Sequence, residues 1–251
     1  MTYDIKAQAI VLRTNRVGEN HRGISMLVDG KGLVNPLAYG AISRKSALRS
    51  TALAYNRGIA ELHYDGSRRR WRLRSFDSVD THDGLRESLE RFYTATTWAE
   101  ILLQSYGAGE DSTTLFALVA NAFSLLSQCV LQEISRLNCA FLWNFLKIEG
   151  VRPNLDWCNQ CNRSLEGRTI YFFPNGLLIC PNCGTGGLDE LSLGARRWLF
   201  AISDIEINRA VRIGLPRHST AVMERWLFII TQNLLERPLK SLQKRQAAGL
   251  N

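Results

Sequence analysis

Residues 158–183, CNQCNRSLEGRTIYFFPNGLLICPNC, decide how this chain is organised: Cys158-x2-Cys161, eighteen residues, then Cys180-x2-Cys183. Each CxxC brings two thiolates onto one ion, and two matched pairs at this separation close one tetrahedral site. The alternatives are four unliganded thiols or two redox pairs, but redox chemistry needs only one CxxC, so the matched doublet argues for a metal. The expected cofactor is one structural Zn2+ held by Cys158, Cys161, Cys180 and Cys183, because four thiolates leave no open position for water or substrate. Thr169 to Phe173, the turn Pro174-Asn175-Gly176 and Leu177 to Ile179 read as a hairpin that carries the second pair to the first, with Gly184 taking a positive φ after the last ligand. Structural zinc binds small peptides with about 10 to 16 kcal/mol. That rivals the roughly 5 to 15 kcal/mol of a whole domain, so a segment this poor in core residues depends on its metal.

Outward from the cysteines the pattern is helical. Upstream, Leu85, Leu89, Phe92, Ala99 and Leu102 form one stripe, Leu115 to Leu126 a second, and Ile134, Leu137, Phe141, Leu142, Phe145 and Leu146 a third that Gly150 and Pro153 end. Asp83 and Ser112 are the expected N-caps. Downstream, the period returns at Trp198, Leu199 and Ile202 and again from Val222 to Leu235, and a frayed end is expected from Gln243. The expectation is a helical domain over 81–251, interrupted by a cysteine insert at 153–187.

The first 80 residues are different. Short apolar runs at Ala7 to Leu12, Gly23 to Val28, Leu33 to Tyr39 and Ile59 to Tyr64 are separated by turn sequences such as Asp29-Gly30-Lys31-Gly32 and Asp65-Gly66. About five short strands in so few residues suit a small closed barrel, for which the OB-fold is the first candidate and an SH3-like barrel the second. The fold class is therefore α+β: an OB-fold barrel, then an all-helical domain carrying the zinc insert.

Charge separates the same two regions. Residues 1–78 hold 14 Lys and Arg against 6 Asp and Glu, whereas residues 79–251 hold 17 of each, so the net +8 belongs to the barrel. Locally concentrated positive charge suits a polyanionic partner. Arg68-Arg69-Arg70-Trp71-Arg72-Leu73-Arg74 is the densest run. A strand places Arg68, Arg70, Arg72 and Arg74 on one face and Trp71 with Leu73 on the other, making Trp71 a core anchor. Four arginines on one face repel unless an anion lies across them. Arg44, Lys45 and Arg49 in a loop extend the expected DNA-binding surface. About five neutralised phosphates would give single-strand affinity a log-log salt slope of about −3.5.

Other classes find little support. No apolar run reaches membrane-spanning length and no secretory leader pattern opens the chain, which predicts a cytoplasmic, nucleoid-associated protein. His21, His63, His82 and His218 are dispersed, and no Walker, GxSxG, HExxH or GxGxxG motif occurs, so no enzyme is expected. Cys129 and Cys139 fall in helical stripes as small core residues.

The order of parts resembles the RecO family of DNA repair proteins. Ala9 to Arg13 and Gly18-Glu19 resemble that family's opening strand and turn, and Lys45-Ser46 its basic loop, although Ala41-Ile42 is less basic than is usual there. Gly150, Pro153, Cys158 and Cys161 resemble its turn and first zinc knuckle, and Arg237, Pro238, Lys240 and Ser241 its closing segment. The resemblance implies a non-enzymatic recombination mediator that binds single- and double-stranded DNA and anneals complementary strands. It also implies work with RecR, and in some members RecF, to load RecA onto strands coated by single-strand-binding protein, whose C-terminal tail is a further partner. The alternatives are a zinc-ribbon factor of transcription or RNA metabolism, which would prefer RNA, and a metal-dependent nuclease, which would cleave.

Overall fold

The computed structural model describes residues 1–105, 111–184 and 188–249, and contacts divide the chain into a unit of residues Met1–Ser127 and a unit of Gln128–Asn251. Unit one opens with β1 (Tyr3–Val17), β2 (His21–Val28), β3 (Gly32–Val34), β4 (Leu37–Ala38), β5 (Arg57–Asp65) and β6 (Arg70–Asp80). A register shift between Val11 and Arg13 bends β1, so its first half pairs with β5 and its second with β2. The ring then closes β2–β4–β6–β5, with β4 parallel to β6 at Leu37 and Arg72. This Greek-key closure in five positions is that of an OB-type barrel rather than an SH3-like one.

The third strand, expected unbroken from Leu33 to Tyr39, is two pieces, because Pro36 has no N–H for the ladder; its carbonyl instead accepts from the Ile24 N–H at 3.0 Å. Ala9, Val11, Ile24, Met26, Val28, Leu62, Leu73 and Phe76 fill the barrel. Ile10 and Leu12 on the other face of β1 are equally buried, which explains why β1 reads as a continuous apolar run.

The helical boundaries differ from expectation in instructive ways. Asp83 opens a 3-10 turn (Asp83–Arg86) that holds Leu85, and the first long helix, preceded in sequence by the short α1 (Leu48–Thr51), is α2 (Leu89–Gln104). Its N-cap is Ser88, whose hydroxyl accepts from the Arg91 N–H at 3.3 Å. For α3 (Ser112–Gln128) the carboxylate of Asp111 accepts from the Thr114 N–H, so Asp111 takes the capping role expected of Ser112. By contacts α2 and α3 group with the barrel, whereas composition had grouped them with the later helices.

Unit two contains α4 (Ile134–Ile148), β7 (Ile170–Phe172), β8 (Leu178–Ile179), β9 (Asp189–Leu191), α5 (Leu193–Ile202), α6 (Ile207–Ala210), α7 (Arg217–Leu235) and α8 (Lys240–Ala247). α4 packs on α7 through Trp143 and Trp226, and a buried polar network links them: Asn138 donates to Glu224 at 2.7 Å, and Arg245 of α8 lies 3.4 Å from the same carboxylate. Arg245 shows why the end is not frayed from Gln243: α8 is tied down by that ion pair. Cys139 is fully buried, while Cys129 is half-buried. The hairpin expected between the cysteine pairs is β7 and β8; β9, which makes the sheet three-stranded, was not anticipated. The far boundary expected for the insert, Gly187, lies outside the described residues.

Candidate metal centre and nucleic-acid interface

The four sulfurs of Cys158, Cys161, Cys180 and Cys183 lie within 4.8 Å of one another, and Cys161 and Cys180 are 3.7 Å apart. An ion bonded tetrahedrally at about 2.3 Å to four thiolates sets sulfur–sulfur edges of about 3.8 Å, so the donor set fits a metal with little contraction. The peptide holds this geometry through the knuckles. The Asn162 N–H bonds to the Cys158 carbonyl at 2.9 Å, and the Cys183 and Gly184 N–H groups to the Cys180 carbonyl at 3.0 and 3.2 Å. Asn159 sews the two together: its N–H donates to the Leu178 carbonyl at 2.9 Å, and its side-chain oxygen accepts from the Leu178 N–H at 2.8 Å.

The positive φ expected at Gly184 occurs instead at Asn162, with φ 54°. At Gly184 a Cβ would meet the terminal methyl of Ile179, so a larger residue there obliges that side chain to shift. Burial opposes ionisation of Cys158, yet the N–H groups of Cys161, Cys180 and Gln160 aim at its sulfur and bring the thiol down to about 6. Cys183 is pushed up to about 12, chiefly by the Cys161 sulfur and then by burial and the remaining sulfurs. Four sulfurs this close cannot all be anionic unaided, and a cation at their centre would supply the missing charge.

The basic residues of the barrel are placed less uniformly than a single strand face would allow. β6 begins at Arg70, so Arg68 and Arg69 belong to the hairpin turn, where Arg69 has φ 49°. Arg70, Arg72 and Arg74 do point outward and Leu73 inward, with Trp71 half-buried against the core beside Tyr3 and Tyr64 and under the Lys31 ammonium at 4.9 Å.

Two of the outward arginines already have anions. Arg72 lies 3.2 Å from Asp65 and Arg74 2.7 Å from Asp4, which His63 also contacts. Asp4 is held below the usual carboxylate range, first by the His63 hydrogen bond, and Asp65 likewise by the Ser67 hydroxyl, so both pairs persist well below neutral pH. Contrary to the expectation for this face, Arg72 and Arg74 therefore need no external anion. Arg68, Arg69 and Arg70 are exposed, with no carboxylate ion pair among the described residues.

Arg44 and Lys45 are exposed on a loop anchored at several points, and Arg49, expected in that loop, is exposed on α1. Leu48 of α1 plugs the barrel, Arg22 donates to the Ala52 carbonyl at 3.0 Å, and the Gly40 and Ile42 N–H groups bond to His21 and Asn20 beside the β1–β2 turn. That turn also reaches the other basic group: Val17 shares a 510 Å³ cleft with Leu33, Leu37, Arg69, Arg70 and Trp71. In OB-folds the second and third strands and these two turns form the ligand face. Tyr39, nearly half exposed with the Arg72 guanidinium 5.2 Å over its ring, and Lys31 and Arg69 belong to this surroundings, although strand alternation gave no signal for them. Tyr55 is buried, and Tyr64 packs on Trp71.

Folding also joins groups that look dispersed in sequence. Buried His82 places Nδ1 2.7 Å from the Tyr55 carbonyl and Nε2 3.2 Å from both Ser124 and Asp80. With Nδ1 spent on a backbone carbonyl and the ring enclosed, His82 clamps α3 to the barrel's exit.

Residues 86–243 match the family described as recombination protein O, C terminal. The chain belongs to that family. Proteins named DNA repair protein RecO are similar along nearly its whole length. That of Pelotomaculum thermopropionicum is 28% identical over 94% of this chain and 91% of its own, and that of Syntrophobacter fumaroxidans 24% identical over 97% of each. The protein of Dehalococcoides mccartyi is 24% identical over 96% of this chain and 94% of its own. Among the described residues no helix is long and apolar enough to cross a membrane.

Proposed function

We propose that this RecO family member is a non-enzymatic DNA-binding mediator of recombinational repair, with its DNA site on the barrel and one structural Zn2+ in the cysteine cluster. The observation that carries the reading is that exposed Arg69 and Arg70 line a cleft with Val17, Leu37 and Trp71, at the face where OB barrels bind their ligands, while the loop that leads to Arg44 and Lys45 is bonded at Gly40 to His21 of β2. The thiolates of Cys158, Cys161, Cys180 and Cys183 would hold the zinc, which supplies cross-linking and no reaction, because a four-sulfur shell has no free position. Strand annealing needs phosphate repulsion screened while bases stay free to pair. Guanidinium and ammonium groups at turn tips provide this without gripping every base. Loading of RecA onto strands coated by single-strand-binding protein, with RecR and in some settings RecF, and recognition of that protein's C-terminal tail follow from family resemblance.

The test is annealing of complementary oligonucleotides by the whole chain and by R68A/R69A/R70A. Removing three phosphate contacts should flatten the single-strand salt slope by about 2 and slow annealing. Arg72→Ala should change the slope less, because Asp65 already engages that guanidinium. Annealing and a slope equal to wild type in the triple variant would remove the barrel as the DNA site.

A further inference from the structure

The insert and α5 enclose a second cleft, of 640 Å³, whose floor and rim include Asp156, Trp157, Glu166, Arg196, Arg197 and Phe200. Two large aromatic rings are left open there: Trp157 is 54% exposed and Phe200 45%. Soluble surfaces rarely leave a tryptophan and a phenylalanine bare in one concavity without a ligand to cover them.

The backbone that carries both rings is held in place. Trp157 precedes the first zinc ligand and pairs by backbone with Ser164, and the Leu165 N–H bonds to the Asp156 carbonyl at 2.8 Å. Arg196, only 4% exposed, rivets α5 to this loop. It donates to the Leu155 carbonyl at 3.1 Å and the Leu165 carbonyl at 2.5 Å, lies 3.6 Å from Asp156, and places its guanidinium 5.2 Å from the Phe200 ring centre. A buried cation with this many bonds is a fixed support for the loop and for Phe200, which lowers the ordering cost at binding.

The chemistry of the lining selects the occupant. An apolar peptide anchor needs a pocket of aliphatic walls, whereas here the apolar surface is chiefly two flat rings among charged groups. Arg197 stands exposed one position beyond Arg196 and makes no carboxylate ion pair among the described residues. The excess of Arg163, Arg168, Arg196 and Arg197 over Asp156 and Glu166 would be offset by the net −2 of a four-thiolate zinc centre, and Arg196 is engaged by Asp156, so exposed Arg197 is the cation this lining offers to a ligand. Flat aromatic faces beside guanidinium groups suit unpaired bases with their phosphates. Bases in a duplex already cover each other's faces.

We infer that the Trp157–Phe200 cleft beside the cysteine cluster is a second single-strand DNA site, in which unpaired bases stack on the two rings and Arg197 meets the backbone phosphate. The class of ligand rests on the mediator reading above, while the location is independent of it.

The test compares the whole chain with W157A/F200A and with R68A/R69A/R70A, measuring anisotropy of labelled oligodeoxythymidylate and of a blunt duplex. Metal content per chain checks the insert. Removing two stacking faces should weaken oligodeoxythymidylate binding at least about tenfold and leave duplex binding unchanged. The barrel variant should weaken both. If only the barrel variant has an effect, the cleft proposal falls, the mediator reading stands, and a peptide becomes the occupant to seek. If only W157A/F200A has an effect, the barrel site falls and the cleft stands. If neither does, both fall. In case the double variant loses metal, photo-cross-linking of 5-iodouracil oligonucleotides to the unaltered protein decides, with attachment expected at Trp157 or Phe200. Cross-links confined to other segments overturn the proposal.

Discussion

The barrel and the cysteine insert solve one problem in opposite ways. The barrel closes six strand segments on a packed interior of Ala9, Val11, Met26, Leu62, Leu73 and Phe76, so its backbone groups and its core are satisfied from within. The insert has strands of two or three residues, and its knuckles converge on sulfur. The difference teaches where each region can vary. A barrel whose stability is internal is free to carry unpaired arginines on its turns, whereas a loop held by a metal would have its geometry set by four fixed points and could display aromatic rings beside them.

Breaking the insert should give the largest effect. Cys180→Ser leaves three thiolates, and should forfeit most of the roughly 10 kcal/mol or more that structural zinc contributes. Metal analysis should fall from about one ion per chain toward none, and limited proteolysis should cut between Pro153 and Leu191 while residues 1–127 stay protected. Equal protection of both regions would show that the insert has a core of its own.

Leu62→Ala attacks the barrel instead. Leu62 is 1% exposed, and a cavity there should cost about 2 to 5 kcal/mol in denaturant unfolding, with metal content unchanged. Metal loss in this variant would mean the two regions are not independent in stability.

A smaller effect sharpens the barrel's side of the comparison. Burial is the main cause that lowers the pKa of His82 below its ordinary 6.5, against the Tyr55 carbonyl and Asp80, which raise it. The unfolded chain therefore binds the proton more readily than the folded one. The stability from a neutral His82 is fully present above about pH 6.5 and is lost as pH falls below it toward the depressed folded value. The melting temperature of the barrel region should decline by a few degrees from pH 7.5 to 5.5. His82→Asn, which tolerates the left-handed backbone at φ 46°, should flatten that decline; an unchanged pH profile would remove His82 as its source.

How much of this could be read in advance depended on the range of the interaction. The cysteine doublet and the DGKG turn are local signals, and the structure has a sulfur cluster and a β2–β3 turn at those places, with Gly30 and Gly32 at φ 68° and 79°. Neighbouring polar residues compete for each cap: the 3-10 turn that buries Leu85 takes Asp83 and leaves Ser88 to cap α2, and at α3 the Asp111 carboxylate reaches the Thr114 N–H. The strand alternation through Arg74 was legible. The neutralising partners Asp4 and Asp65 were not, since Asp4 reaches Arg74 across 70 positions of chain. The same holds for Trp157 and Phe200, which only the Arg196 bonds bring to one cleft.

The internal carboxylates have one more consequence. An arginine that already holds a carboxylate is a donor in use, so a phosphate moving along β6 must displace Asp65 from Arg72 or Asp4 from Arg74 instead of filling an empty position. Binding there would work by exchange: each guanidinium contact with an incoming polyanion would have a resident carboxylate ready to take it back, which would shorten the polyanion's residence on β6.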